Sequence, residues 1–470
     1  MTTLVTATGE PKIDYAATAY MIICASLVLL MTVPGLALFY GGLNRVKTVL
    51  NMMMMSFGAF GLVGIIYVIY GYSMSFGPND IGGIFANPFD KLGLHDTSHI
   101  VNIFHFNGYG GIPELVFVGF QLTFAAITVA LISGAIADRV KFSTWMVFSG
   151  LWVTLSYFTI AHMVWGGGLL SANANGLSAK IFGAANGVAK VVPIDFAGGT
   201  VVHINAGMAA LVLVLVIGKR VGFGKVAMRP HNVPVVMLGA GLLWFGWFGF
   251  NAGSELAPDT TAALVWINTT VATCAAMLGW LVVEKLRDGH ATSVGAASGI
   301  VAGLVAITPA CGALSPIGSI VLGAVAGGLS AMAVGLKFRF GYDDSLDVVG
   351  VHLVSGLWGT IGAGLLATST GLFYGKGGKQ LVIQVVIALS SVIISGAVTL
   401  VLGLALKKTM GWRISRDDEL VGIDQTEHAE SGYDLAEREG RLGAASLGLH
   451  AGAMRHEEIT DAYETNGASA

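Results

Sequence analysis

His203 and His352 both lie inside strongly apolar stretches of this 470-residue chain, and they share a spacing. Each follows an aspartate, Asp195 or Asp344, by eight positions and precedes a glycine, Gly207 or Gly356, by four. A neutral imidazole offers one donor and one acceptor, and its reference pKa is about 6.5. Two such rings brought together could share a hydrogen bond, pass a hydrogen-bonding solute or relay a proton, and in a low dielectric they would not both charge easily. His162 has no repeated counterpart and reads as a core histidine bonded to a neighbouring carbonyl. A metal site needs about three or four ligands. No carboxylate or cysteine stands at suitable spacing within these stretches, so no metal and no cofactor are expected.

Asp195 precedes an apolar helix, where a carboxylate can accept the free N–H groups of the first turn; the other reading gives it an indirect part in holding a cation site open. Asp344 and Asp347 flank the start of a later apolar stretch in the same way. The aromatic set is Phe120 and Phe124 beside Gln121, then Trp165, and then Trp247, Phe248 and Phe250 before Ser254. Aromatic faces hold a cation by about 0.5–2 kcal/mol per contact, while interfacial tryptophan also serves as a membrane belt. Composition leaves both readings open. The run Gly218-Lys-Arg-Val-Gly-Phe-Gly-Lys225 has the wrong spacing for a nucleotide-phosphate loop and continues with Val226 where Ser or Thr is needed, so no nucleotide-driven pump is expected.

The elements that position these groups must be membrane helices. Hydrophobic residues make up 54% of the chain and charged ones 11%, with a mean hydropathy of +0.74, against about 25% charged in soluble domains. A net charge of −3 gives no reason to expect a nucleic-acid partner. The three cysteines, Cys24, Cys274 and Cys311, lie in or beside apolar runs and form no disulfide framework. Windows of about 20 apolar residues mark eleven spans, at 18–39, 53–74, 112–136, 144–165, 200–217, 233–250, 262–283, 294–308, 317–336, 348–367 and 381–406. Lys and Arg are concentrated in the loops on one side, and that asymmetry puts the N-terminus outside and the C-terminus in the cytoplasm. The outer loop 76–111, with Asp80, Asp90 and Asp96, is mildly acidic.

The repeated Asp, His and Gly, together with aromatic-glycine clusters ending the first and sixth spans, make spans 1–5 and 6–10 two copies. Five spans is an odd number, so the second copy is inverted, and such repeats place a path at their interface; the eleventh span is extra. Glycines inside spans, among them Gly323, Gly327, Gly356 and Gly359, predict close helix crossings. The expected division is a short external segment at 1–17, an eleven-helix membrane domain at 18–406 and a polar cytoplasmic tail at 407–470. That tail is ordered to about 433, and beyond it the composition reads as weak helix or disorder.

The chain resembles the ammonium transporter family (Amt/Mep/Rh, bacterial Amt branch) from about residue 18 to 433. The resemblance rests on Pro34-Gly-Leu-Ala-Leu-Phe-Tyr-Gly-Gly42, Ala161-His-Met-Val-Trp-Gly-Gly-Gly168, the stretch from Asp195 to Gly207, Gly246-Trp-Phe-Gly-Phe-Asn-Ala-Gly-Ser254, Thr308-Pro-Ala-Cys-Gly312, and Asp347 to His352. It implies a homotrimer in the cell membrane with one pore per subunit. Phe120, Phe124, Trp165 and Ser254 would form an outer ammonium site supported by Asp195. Phe124 and Phe250 would gate it, and His203 and His352, with Trp247, would line the pore below. Gly411, Arg413, Asp424 and Tyr433 would belong to a regulatory tail that contacts the next subunit and docks a trimeric P-II signalling protein. Many members have glycine after the second histidine, whereas this chain has Leu353, Val354 and Ser355.

The expected function is uptake of ammonium, with methylammonium as an analogue. Two alternatives stand beside it: an ammonium sensor that conducts little, and a neutral channel for NH3 or CO2. An enzyme is not expected, because the spans pair no nucleophile with a base.

Overall fold

The computed structural model describes residues 13–95, 103–104 and 111–433. The chain up to residue 12, Asp96 in the acidic outer loop and the segment from Asp434 onward lie outside the described residues. Among the described residues, ten helices are long and apolar enough to cross a membrane, and an eleventh apolar helix is shorter. In chain order they are α1 (Tyr15–Leu43), α2 (Val49–Phe76), α3 (Glu114–Ile136), α4 (Phe142–Val164), α5 (Gly199–Ile217), α6 (Val233–Gly253), α7 (Thr260–Asp288), α8 (Ser293–Ile307), α9 (Pro316–Phe340), α10 (Val349–Leu366) and α11 (Lys379–Thr409). At about 1.5 Å per residue, the 15 residues of α8 fall short of a hydrocarbon core of about 30 Å. Several helices outrun the apolar windows, α7 by the polar turn that holds Glu284, Lys285 and Arg287, because a helix continues beyond the bilayer until a cap or glycine ends it.

Local chemistry sets these ends. Asp14, Asn232, Asp259, Thr292 and Ser315 accept first-turn N–H groups of α1, α6, α7, α8 and α9. Gly289 ends α7 in the left-handed region at φ +81°. Apolar side chains such as Ile65, Leu215, Ile393 and Val401 face outward, as a helix bundle sealed by lipid requires.

The packing repeats between the halves. In the first, α1 and α2 pack on α3, α2 on α4, and α3 on α5; in the second, α6 and α7 pack on α8, α7 on α9, and α8 on α10. The halves meet where α1 lies along α6 and where α5 meets α10, and α11 packs on the α5–α10 side. Glycines set how close these crossings are. A Cβ at Gly249 or Gly253 of α6 would sit 2.6 Å from the Cys24 carbonyl oxygen or 2.8 Å from its Cβ on α1. The α5–α10 crossing carries the repeat furthest: a Cβ at Gly207 would meet Leu353 N at 2.5 Å, and one at Gly356 would meet Ile204 N at 3.2 Å. Each glycine four residues after a histidine therefore lies against the residue following the other histidine.

After α11 the chain turns back along one face of the bundle. Trp412 is buried, and its backbone carbonyl accepts a hydrogen bond from Lys141 N at 2.9 Å. Two short helices follow, α12 (Arg416–Val421) and α13 (Ile423–His428). Asp424 accepts Leu50 N at 3.0 Å and Asn51 N at 2.7 Å, capping α2, while Glu427 accepts Phe142 N at 2.9 Å at the start of α4.

Candidate functional site

Both histidines sit where an α-helix widens into a π turn, at Gly199–Ile204 and Val349–Leu353. Such insertions recur at functional sites because they re-aim a side chain within a continuous helix. The aspartate eight residues upstream anchors each turn, and two of the contacts are shared. Asp195 accepts N–H groups from Gly198 (2.9 Å), Gly199 (2.5 Å), Thr200 (2.9 Å) and Val201 (3.3 Å), as well as the Thr200 hydroxyl. Asp344 accepts Val348 N at 3.0 Å and Val349 N at 2.8 Å, the fourth and fifth residues after it, as Gly199 and Thr200 are after Asp195. Burial pushes the Asp195 carboxyl up from its ordinary value, and its hydrogen bonds from Thr200, Gly199 and Val201 act against that shift. Burial and the neighbouring Asp347 raise Asp344 to about 6, with Lys337 acting against them.

With both turns pinned and both glycines in contact, the rings meet. His203 Nδ1 and His352 Nδ1 are 3.3 Å apart, the ring planes differ by 20°, and both side chains are at most 2% exposed. One Nδ1 donates and the other accepts. The donating ring then presents Nε2 as an acceptor, and the accepting ring presents Nε2–H as a donor. Nε2 of His203 is buried with no protein hydrogen-bond partner among the described residues, so the pair keeps unused polar capacity inside an apolar lining.

That lining is aromatic. Trp247 stacks on His203 with centroids 5.3 Å apart and planes 16° apart, held by its indole N–H donating to the Thr308 hydroxyl at 2.9 Å. The Thr308 hydroxyl in turn donates to the Leu304 carbonyl at 2.8 Å and lies 3.2 Å from Asn251 Oδ1. Phe250 lies 6.1 Å from His203 and stacks on Phe124 at 4.0 Å with planes 10° apart, and both phenylalanine rings are fully buried. Beyond Phe124 lie Phe120 at 4.8 Å and Trp165 at 6.0 Å. Trp165 donates to the Asp195 carbonyl at 2.9 Å, and Ser254 donates to the Phe250 carbonyl at 2.8 Å. A continuous series thus runs from partly exposed Trp165 and Ser254, past Phe120, Phe124 and Phe250, to Trp247, His203 and His352. Asp195 joins it through its backbone carbonyl, which accepts the Trp165 indole N–H, while its carboxylate caps the turn that carries His203.

The tail residues form a separate group. Gly411 ends α11 at φ +71°, Arg413 pairs with Glu419 at 2.6 Å, Asp424 caps α2, and the Tyr433 hydroxyl lies 2.9 Å from His231 Nε2. His162 bonds the Ser75 carbonyl at 3.0 Å and Asp80 at 2.8 Å. Sequence reasoning missed the support for Trp247 from Thr308, although Thr308 opens a quoted motif. It also missed a buried loop cluster, in which Arg220 joins Asp343 at 2.8 Å and Asp138 at 3.1 Å. The available signal was one charge just past α3 (Asp138), one just past α5 (Arg220) and one just before α10 (Asp343).

Among proteins of known sequence and structure, an ammonium transporter of Mycobacterium tuberculosis is 52% identical over 451 residues, covering 91% of this chain and 92% of its own length. A solved structure titled Sensor Amt Protein superposes with a TM-score of 0.77 at 27% identity, over 88% of this chain and 98% of its own. Mep2 of Saccharomyces cerevisiae superposes with a TM-score of 0.75 at 30% identity, over 86% and 88%. The sequence pattern of the Ammonium Transporter Family matches residues 19–433, and the chain belongs to that family.

Proposed function

We propose that this protein carries ammonium, and methylammonium as its analogue, across the cell membrane along the aromatic and histidine series. The observation that carries the reading is the buried His203–His352 pair beneath the stacked Phe124–Phe250 rings. A hydrated cation cannot cross two fully buried phenyl faces cheaply, whereas neutral ammonia can. NH4+ is recruited at the outer mouth by the faces of Phe120, Phe124 and Trp165 and by the Ser254 hydroxyl, with Asp195 holding that mouth in shape. It gives up its proton there to water at the mouth, and that proton crosses separately from ammonia, so that one net charge moves with each ammonia. Ammonia then passes the Phe124–Phe250 gate and exchanges hydrogen bonds with the histidine pair, which offers it one donor and one acceptor.

The charge asymmetry of the loops supports an external N-terminus at 1–17, a transport domain at 18–406 and a cytoplasmic tail at 407–470. We place the functional unit as a homotrimer with one path per subunit. The tail segment from Gly411 through Arg413 and Asp424 to Tyr433 is the regulatory part, positioned to dock a trimeric P-II protein.

A second reading, a sensor that binds ammonium and conducts little, draws on the sensor-titled structural neighbour. The two separate when purified protein in liposomes is given an ammonium pulse on a solid-supported membrane. Transport predicts a current absent from empty liposomes. Ammonium binding with neither current nor lumenal pH change would establish the sensor, and a pH change without current would establish a neutral NH3 channel.

A further inference from the structure

The glycine-rich basic run between α5 and α6 fails as a nucleotide-hydrolysing loop, yet the fold gives it a partner. Lys219, Val221 and Gly222 from that run face Arg413, Ile414 and Arg416 from the start of the tail across a cavity of about 460 Å³. Loop and tail are already stitched along its floor. Arg413 donates to the Lys219 carbonyl at 2.6 Å and to Glu419 at 2.6 Å, and Glu419 also accepts Val221 N at 2.6 Å.

The charge in this cavity is unbalanced. Glu419 neutralises Arg413. Lys219 and Arg416 are exposed and enter no ion pair among the described residues; the Lys219 ammonium instead lies 5.8 Å from the Phe223 ring. Of the acidic residues that follow Arg416, Asp418 is occupied by Ser415, whose hydroxyl donates to it at 2.7 Å, and Asp417 is exposed on α12. Two uncompensated cations from two separate elements thus face one space. A phosphate monoester carries about −1.5 to −2 charges at neutral pH, and arginine with lysine is the pairing that grips its oxygens. The space is an open groove, wider than a bare anion needs, so it leaves room for the body that bears the phosphate.

We propose that this cavity binds a phosphoryl-bearing anion that bridges Lys219 of the α5–α6 loop and Arg416 of the tail, clamping the tail to the bundle. The proposal is independent of the transport reading, because it concerns neither the histidine pair nor the aromatic gate. Two sources share the chemistry: a soluble phosphate compound and the headgroup of an anionic lipid.

The test uses the full chain in phosphatidylcholine nanodiscs, titrated with inorganic pyrophosphate at constant ionic strength and followed by calorimetry. The comparison is a Lys219→Gln/Arg416→Gln variant, in which both changes are at exposed positions. The expected result is saturable binding by the wild type, weakened roughly tenfold or more in the variant, with slower tryptic cleavage after Arg416 in wild type when pyrophosphate is present. Repetition in nanodiscs containing phosphatidylglycerol assigns the source. Undiminished pyrophosphate binding supports a soluble phosphate compound, and competitive loss supports the lipid headgroup. No saturable binding in phosphatidylcholine, or equal affinity in wild type and variant, overturns the proposal.

Discussion

At the scale of single residues, the site depends on groups that do no chemistry themselves. Asp195 is the clearest, since four backbone N–H groups and a hydroxyl converge on its carboxylate. Asp195→Ala leaves those donors buried without an acceptor and frees the π turn that aims His203. We expect a loss of about 1–3 kcal/mol in thermal unfolding of the detergent-solubilised protein, together with loss of the ammonium current. A stable variant with normal current would mean the cap is dispensable. The aspartate and histidine positions were legible in the sequence because polar groups at fixed spacing in apolar runs stand out. The Thr308–Trp247 bond was not, because a threonine inside a membrane helix usually bonds its own helix, and only the crossing of α6 with α8 shows what its hydroxyl meets.

At the scale of elements, the crossing of α5 with α10 decides whether the rings meet. Gly207→Ala puts a methyl group at 2.5 Å from Leu353 N, so the helices must part. The expected cost is about 1–3 kcal/mol, with a loss of current out of proportion to the loss of folded protein. Gly61→Ala in α2, where a Cβ meets nothing within 4 Å, is expected to be neutral or stabilising by up to about 1 kcal/mol. Equal effects at the two sites would refute the close-contact account. The matched glycines were visible in the sequence, but their reciprocal contact, each against the residue after the other histidine, required the pairing of the two helices. The tail gives a further prediction at this scale. Asp424→Ala removes the acceptor for Leu50 N and Asn51 N, and faster tryptic cleavage after Arg413 and Arg416 is the expected outcome; an unchanged digestion rate would show that other contacts hold the tail.

At the scale of the whole molecule, the two halves meet in the loop cluster of Asp138, Arg220 and Asp343, and the tail bonds the adjoining Arg139 and Val221 backbone. Burial would raise both carboxyls, but Arg220, with Arg45 beside Asp138 and Arg139 beside Asp343, holds both below their ordinary values. The stability they contribute is therefore fully present above the unfolded carboxylate range of about 4 and is lost as pH falls through their lower folded values. Arg220→Met leaves two buried carboxylates short of their main cation. At pH 7 it is expected to cost about 3–5 kcal/mol. The gap to wild type should narrow in thermal unfolding scans as pH falls from the variant's burial-raised carboxyl range down through the lowered wild-type one; a gap that widened with acid would reverse the assignment. The spans were largely legible from apolar run length, and the repeat from the matched Asp, His and Gly of its two halves. The Arg220 cluster was not, because its members are far apart in the chain and look like ordinary loop charges until α3, α5 and α10 end beside one another.

Transport through this protein, as proposed, requires that the ammonium path run past the His203–His352 pair. The most direct measurement is the ammonium-pulse current of proteoliposomes carrying wild type, His203→Ala or His352→Ala at matched protein density. The account predicts that each substitution abolishes or greatly alters the current while the protein stays folded; wild-type currents from both variants would contradict it.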